Sequence, residues 1–246
     1  MPDYLISKNA NIGKNVNIGK GVIIHDNVSI DDNTFIGAYS IIGEPTADYY
    51  KASHAHNFKP TVIGANSIIR SFTTIYENVT IGAHFQSGHH AIIREDSIIG
   101  HNSSFGSCSE LPGKARIGNY VRIHSKVMLS ENNIIDDYVW IYPFVVITNV
   151  KHPPTSPHLT THIKKYAQVF AQSTLLPGIC IGENAIVAAG ALVKEDVGDE
   201  RLVAGRPAKD IKSVRAIKDE NGAAVYPWKD HLKTYRGYDF QENDKS

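Results

Sequence analysis

An all-β fold, a parallel β-helix of short strands turning at regular corners, is what this sequence predicts, and three observations carry the prediction. Aliphatic residues recur every six positions. Small or β-branched residues hold a fixed place between them. Two polar segments interrupt the series, and the period resumes unchanged after each.

The series opens with Ile6, Ile12, Ile18, Ile24, Ile30, Ile36 and Ile42, without a slip. Gly13, Gly19, Gly37 and Gly43 follow four of them, and Val16, Val22, Val28, Thr34 and Ser40 stand four residues on. It resumes at Ile63 and runs through Ile69, Ile75, Ile81, Ser87, Ile93, Ile99, Phe105, Leu111, Ile117, Ile123, Leu129, Ile135, Ile141 and Ile147. Val169, Leu175, Ile181, Val187 and Val193 close it, making twenty-seven hexads. Six is a multiple of the strand period of two, so every repeated residue falls on one face of an extended chain. A helix, at about 3.6 residues per turn, would scatter the same stripe around its cylinder. The glycine after the aliphatic residue suits a corner that needs unusual backbone angles.

Two insertions project from the coil. Residues 43–62 are rich in aromatics and histidine, and residues 148–168 in Pro, Thr and His. Long loops on a rigid scaffold are where binding usually resides. The β-helix is assigned to residues 1–197 and a cap and tail to 198–246. A bare coil end exposes an apolar edge, so the segment ending at Ile217 is expected to close it with a short helix. Trp228 and the tail tyrosines are expected to dock against the body.

Composition sets the remaining bounds. Among 246 residues, 42% are apolar and 20% charged, with a formal net charge of zero. No basic excess exists to neutralise phosphate backbones, which argues against nucleic acid as a partner. The start has no basic and apolar leader pattern, and no apolar run approaches a membrane span, so a cytoplasmic chain is expected. Cys108 and Cys180 are too few for a disulfide framework and lack metal-ligand spacing. They read as two buried small hydrophobes in a reducing compartment.

The Ile-Gly hexads, the late protruding loop, LPGICIGENAIVAAGALVKEDV and VAGRPAKDIKSV together resemble the hexapeptide-repeat acyltransferases over nearly the whole chain. More narrowly, IIRSFTTIYENVTIGAHFQSGHHAIIRED and IGNYVRIHSKVMLSENNIIDDYVWIYPFVVITN are similar to the nucleotide-sugar N-acetyltransferases of surface-glycan pathways. GEPTADYY resembles a loop of the lipid A acyltransferases, which bind UDP-sugars. The resemblance implies a left-handed, three-faced prism of eighteen residues per coil, hence about nine coils and a length of about 40 Å. It implies a homotrimer that moves an acetyl group from acetyl-CoA to the amine of a dTDP- or UDP-linked amino sugar, with no metal.

With eighteen residues per coil, sequence becomes rough geometry. One column reads Gly88, Gly106, His124, Tyr142; its neighbours read His89, Ser107, Ser125, Pro143 and His90, Cys108, Lys126, Phe144; before the corner runs Gln86, Ser104, Arg122, Trp140. This describes a notch floored by small residues, flanked by imidazoles and bordered by Gln86, Arg122 and Trp140. An amine attacking a thioester must lose a proton, and a neutral His accepts one near pH 7. His124 is the first candidate base and His89 the second, although either can equally be a corner histidine bonded to a carbonyl. Gln86, His90 and Arg122 are assigned to substrate. Tyr49 and Tyr50 are assigned to its nucleobase, with pinning of the loop as the plain alternative. For the coenzyme, the resemblance implies Gly178, Ala189 and Gly190 along the pantetheine arm and Lys194, Arg206 and Lys209 at its phosphates. Trp140 and Tyr142 are assigned to the same ligand.

Two other readings compete. O-acetylation of a sugar or of serine uses the same scaffold. The γ-class carbonic anhydrases share the prism and bind zinc through three His, two of them five apart, a spacing that His84 and His89 have. Two and three hexad-pairs before His84 lie Pro60 and Asp48, and His54 and His56 lie in the insertion, so the third ligand is missing from the ladder.

Overall fold

The computed structural model describes residues 3–52, 56–154, 158–231, 234–235 and 238–239, and they form a parallel β-helix. Most strands are two residues long, one outward side chain and one inward aliphatic residue, as in Asn17–Ile18 and Arg122–Ile123. Through the unbroken stretch, paired residues lie eighteen apart: Thr80 beside Ile98, Ile98 beside Arg116, Ser104 beside Arg122, Arg122 beside Trp140. The first face runs from Leu5–Ile6 to Leu192–Val193, joined midway by a bridge at Met128. The second stacks nine strands from Asn11–Ile12 to Cys180–Ile181. The third stacks eleven, of which the outermost is antiparallel.

The third face therefore carries ten parallel rungs, against the nine coils expected. Two rungs escaped the sequence count. His162–Ile163 pairs with both Ile134–Ile135 and Cys180–Ile181, inside the segment assigned to the second insertion. Its Ile163 keeps the six-residue spacing, but two lysines follow it where glycine follows many others. Arg201–Gly205 adds the last parallel rung beside Ile186–Val187. The cap also differs from the helix expected. Arg201–Gly205 and Ala208–Ser213 make an antiparallel hairpin, and short 3-10 turns at Val214–Ala216 and Trp228–Asp230 follow.

Inward residues from Val22 to Val203 form one continuous core, with Ile36, Ile63, Ile93, Ile141 and Val187 wholly buried. Burying each such side chain contributes about 1.5–3 kcal/mol. The glycines after the aliphatic residues do a different job from the one expected. Apart from Gly43, with φ of 80°, their φ values are ordinary; what they permit is close stacking, since a Cβ on Gly82 would stand 2.6 Å from the His101 backbone nitrogen. The left-handed residue comes two places later and is often asparagine, as at Asn15, Asn33, Asn66 and Asn102, with φ of 56°, 58°, 59° and 57°. Its short polar side chain tolerates that region.

The first insertion opens with the helix Ala47–Ala52 and is anchored on a buried carboxylate, Glu77. Glu77 accepts from the Lys59 N–H (2.9 Å), the Thr46 N–H and hydroxyl (3.2 Å each) and His56 Nε2 (3.0 Å). Burial raises its pKa, but those donors together outweigh burial and hold it below the ordinary glutamate value. The tail docks through Trp228, packed among Tyr120, Tyr138 and Tyr166 with its indole N–H on the Tyr166 carbonyl at 3.2 Å. The cysteines depart from expectation: Cys108 is exposed at a left-handed corner, because the residue there points outward. Cys180 is half-buried, and burial pushes its thiol pKa up.

Candidate active site

The third face and the corner after it build the site. In register across the coils, the residue following each inward position reads Gly19, Gly37, Arg70, Gly88, Gly106, His124, Tyr142, Phe170, Ala188. Two glycines thus separate a guanidinium from an imidazole. The gap is enforced: a Cβ on Gly88 would stand 2.1 Å from the Ser107 nitrogen, and one on Gly106 2.2 Å from the His124 carbonyl carbon. The resulting notch, about 280 Å³, is lined by Arg70, Gln86, His89, Ser104, Arg122 and His124 over a floor of glycine and serine. No Asp or Glu is among its lining residues.

His124 is held firmly. Its N–H donates to the Ile141 carbonyl and its own carbonyl accepts from Ser109 Oγ, each at 2.9 Å. Its ring stacks on Tyr142 at 5.0 Å and 8°, and Tyr142 stacks on Phe170 at 4.6 Å and 7°. Burial raises the Tyr142 pKa, so its hydroxyl stays protonated near neutrality. Arg122 lies over the Trp140 ring at 5.1 Å. His89 sits exposed on the rim, and its N–H donates to Ser107 Oγ at 3.0 Å.

Other residues assigned from sequence lie elsewhere. His90 stacks on Phe72 at 4.7 Å and 2°, on the outer corner beyond the notch lining. Tyr49 and Tyr50 belong to the insertion between the first and second faces, whereas the notch opens on the third. Tyr49 packs against His56 and Phe58, and Phe58 stacks on His25. Burial lowers the His25 pKa against the pull of nearby Glu44. Tyr50 donates to Glu44 at 2.7 Å, which pushes its hydroxyl up to about 12. The zinc reading gains no ligand set: His84 and His89 have no third His, Cys, Asp or Glu converging on them among the described residues. His54 lies outside the described residues.

The residues assigned to the coenzyme divide into three places. Trp140 and Tyr142 continue the notch toward the C-terminal coils, where Ala189 lines an apolar cleft of about 230 Å³ with Phe170, Ile186, Ala188, Ile217 and Tyr226. Gly190 follows at a left-handed corner, with open space where a Cβ would stand. Lys194 and Lys209 line a recess of about 430 Å³ at the open end of the prism, shared with Asp196, Arg201 and Asp210. Arg206 is exposed at the hairpin turn. Gly178 stands on a different corner, against Leu159 of the second insertion.

Sequence reasoning missed Arg70 and Tyr226. The signal for Arg70 was present, eighteen residues before Gly88 in a column that was begun one coil too late. Tyr226, whose hydroxyl meets Gln168 Oε1 at 3.4 Å, reaches the site through the tail, which carries no period.

The architecture defines a parallel β-helix built of six-residue repeats, and two stretches of it match known repeat families. Residues 9–44 match the family described as bacterial transferase hexapeptide (six repeats), and residues 171–195 the hexapeptide repeat of succinyl-transferase. The two matches lie in the first and the last coils of the β-helix and cover about a quarter of the chain. A Schizosaccharomyces pombe protein provisionally named a serine acetyltransferase is 36% identical over 88 residues, 36% of this chain and 32% of that one. The Staphylococcus aureus 2,3,4,5-tetrahydropyridine-2,6-dicarboxylate N-acetyltransferase is 38% identical over 74 residues, 30% of each chain. The chain thus spans about a third of the length of these curated relatives. The solved Arabidopsis UDP-N-acetylglucosamine acyltransferase shares the fold, with a TM-score of 0.68 at 17% identity over 86% of this chain and 73% of that one.

Proposed function

We propose that the chain transfers an acetyl group from acetyl-CoA to the amine of a nucleotide-linked amino sugar, a dTDP- or UDP-amino-deoxyhexose, for surface-polysaccharide synthesis. The observation that carries the reading is the glycine-floored notch, with His124 at one end and polar side chains without carboxylates around it. Relatives named as acetyltransferases support acyl transfer with acetyl-CoA as donor. His124 takes the proton as the amine attacks the thioester carbonyl; the C–N bond forms, the tetrahedral oxyanion collapses and the thiolate leaves. Its stacked ring keeps the accepting nitrogen in one orientation. Gln86 and Arg122 bind the acceptor, and His89 serves the rim. Trp140, Tyr142 and the apolar cleft at Ala189 guide the pantetheine arm. Lys194, Arg206 and Lys209 serve its phosphates. The active assembly is a cytoplasmic homotrimer.

Acetyl-CoA offered with dTDP- and UDP-amino sugars should release free CoA thiol, and His124→Ala should lower the rate about a hundredfold or more. No thiol with any amino sugar would sink the reading. Thiol release with L-serine instead would favour O-acetylation, the second reading, which the serine acetyltransferase relative supports.

A further inference from the structure

Arg70 is the charged side chain of the notch that acyl transfer leaves without a task. It closes the N-terminal end of the two-glycine gap, in the same column as His124. Its guanidinium donates to the Ser87 carbonyl and to Gln86 Oε1, the latter at 3.5 Å. Five N–H donors are available on that group, and among the described residues no carboxylate forms an ion pair with it. Ser87 is the one polar rung in the ladder from Ile63 to Ile147. Its buried hydroxyl accepts the Arg70 N–H at 2.8 Å and meets Thr73 Oγ1 at 3.2 Å. An aliphatic residue at that rung would supply neither contact. The break in the hydrophobic pattern therefore fixes the Arg70 backbone at the mouth of a site whose lining carries no carboxylate.

We propose that Arg70 binds a phosphate oxyanion of the acceptor while the acceptor's nucleophile faces His124. This rests on the acyl-transfer reading and adds the anion and its position. The planar guanidinium fork matches phosphate oxygens two at a time. Three rungs separate Arg70 from His124, roughly 14 Å at the backbone, and the Arg70 guanidinium reaches one rung into that gap at Ser87 and Gln86. In serine the carboxylate lies too close to the hydroxyl to span that gap. A sugar nucleotide places its diphosphate a hexose ring away from a ring amine.

Calorimetric titration of the full chain with UDP, dTDP and L-serine tests the assignment. The wild-type chain should bind at least one nucleoside diphosphate, and Arg70→Met should weaken it at least about tenfold. Arg70→Lys, which keeps a donor for the Ser87 carbonyl, should weaken it less and leave acetyl-CoA affinity and the thermal midpoint unchanged; it stands in should Arg70→Met fail to fold. Nucleotide affinity unaltered in both variants would overturn the assignment and leave acyl transfer standing. So would binding of L-serine that depends on Arg70 while neither nucleotide binds, or no binding of any of the three. Nucleotide binding that depends on Arg70, without thiol release, would sink acyl transfer alone.

Discussion

His124 suits a proton-accepting role because its freedom is removed on several sides: the Ile141 and Ser109 bonds fix its backbone, and Tyr142 fixes the ring plane. Removing the stack while keeping the imidazole separates positioning from chemistry. Tyr142→Ala should lower kcat less than His124→Ala does, and steady-state kinetics on both variants checks the order. His89→Ala should lower turnover only modestly, since His89 is exposed on the rim. At this scale the sequence was legible wherever side chains obey the column rule. Gln86, His89, Arg122 and His124 meet as the spacing of eighteen implies. His90 does not join them, because its left-handed corner turns it onto Phe72, and sequence spacing carries no information about that angle.

The insertion at 43–62 is an element whose order depends on one ionised group. Glu77 has a pKa below the ordinary glutamate value, so the unfolded chain binds its proton more readily than the folded chain does. Its contribution is complete above the unfolded value of 4.5 and is lost as pH falls through the lowered folded value. Hydrogen exchange, corrected for intrinsic rates, should show residues 44–52 and 56–60 opening in acid well before the ladder does. Glu77→Gln should bring that opening to neutral pH, removing charge-assisted bonds worth about 1.5–3 kcal/mol each at most. Protection unchanged in the variant would count against the anchor. The tail behaves as a second element: Trp228→Ala should release it, at a cost of about 3–5 kcal/mol for a buried aromatic. Limited proteolysis after residue 217 reads that release. The Glu77 anchor was not visible beforehand, and for Trp228 the docking was expected but not its place. Glu77 stands two residues past a ladder position, like many solvated corner residues, and Trp228 docks on three tyrosines from three different coils. The hairpin cap was hidden for a similar reason: AKDIKSV suits a short helix locally, and only the neighbouring strand Arg201–Gly205 makes it an edge strand.

For the whole molecule, the ladder was the most legible feature, since a six-residue period forces one inward face wherever it runs. What spacing could not supply is which outward surfaces are covered. Tyr39, Phe72, Met128 and Phe144 are each about half exposed, more apolar side chain than a solvated prism needs. The proposed trimer would cover such surface, and sedimentation equilibrium should return three times 27.1 kDa; a monomer at micromolar concentration would contradict it. No helix among the described residues is long and apolar enough to cross a membrane. The central claim is that acyl transfer occurs in the gap between Arg70 and His124, and a co-crystal structure with CoA and a nucleoside diphosphate tests it most directly. The account predicts the thiol beside His124, the pantetheine arm along Tyr142 toward Ala189, and the diphosphate at Arg70. Both ligands bound elsewhere, with the glycine-floored notch empty, would contradict it.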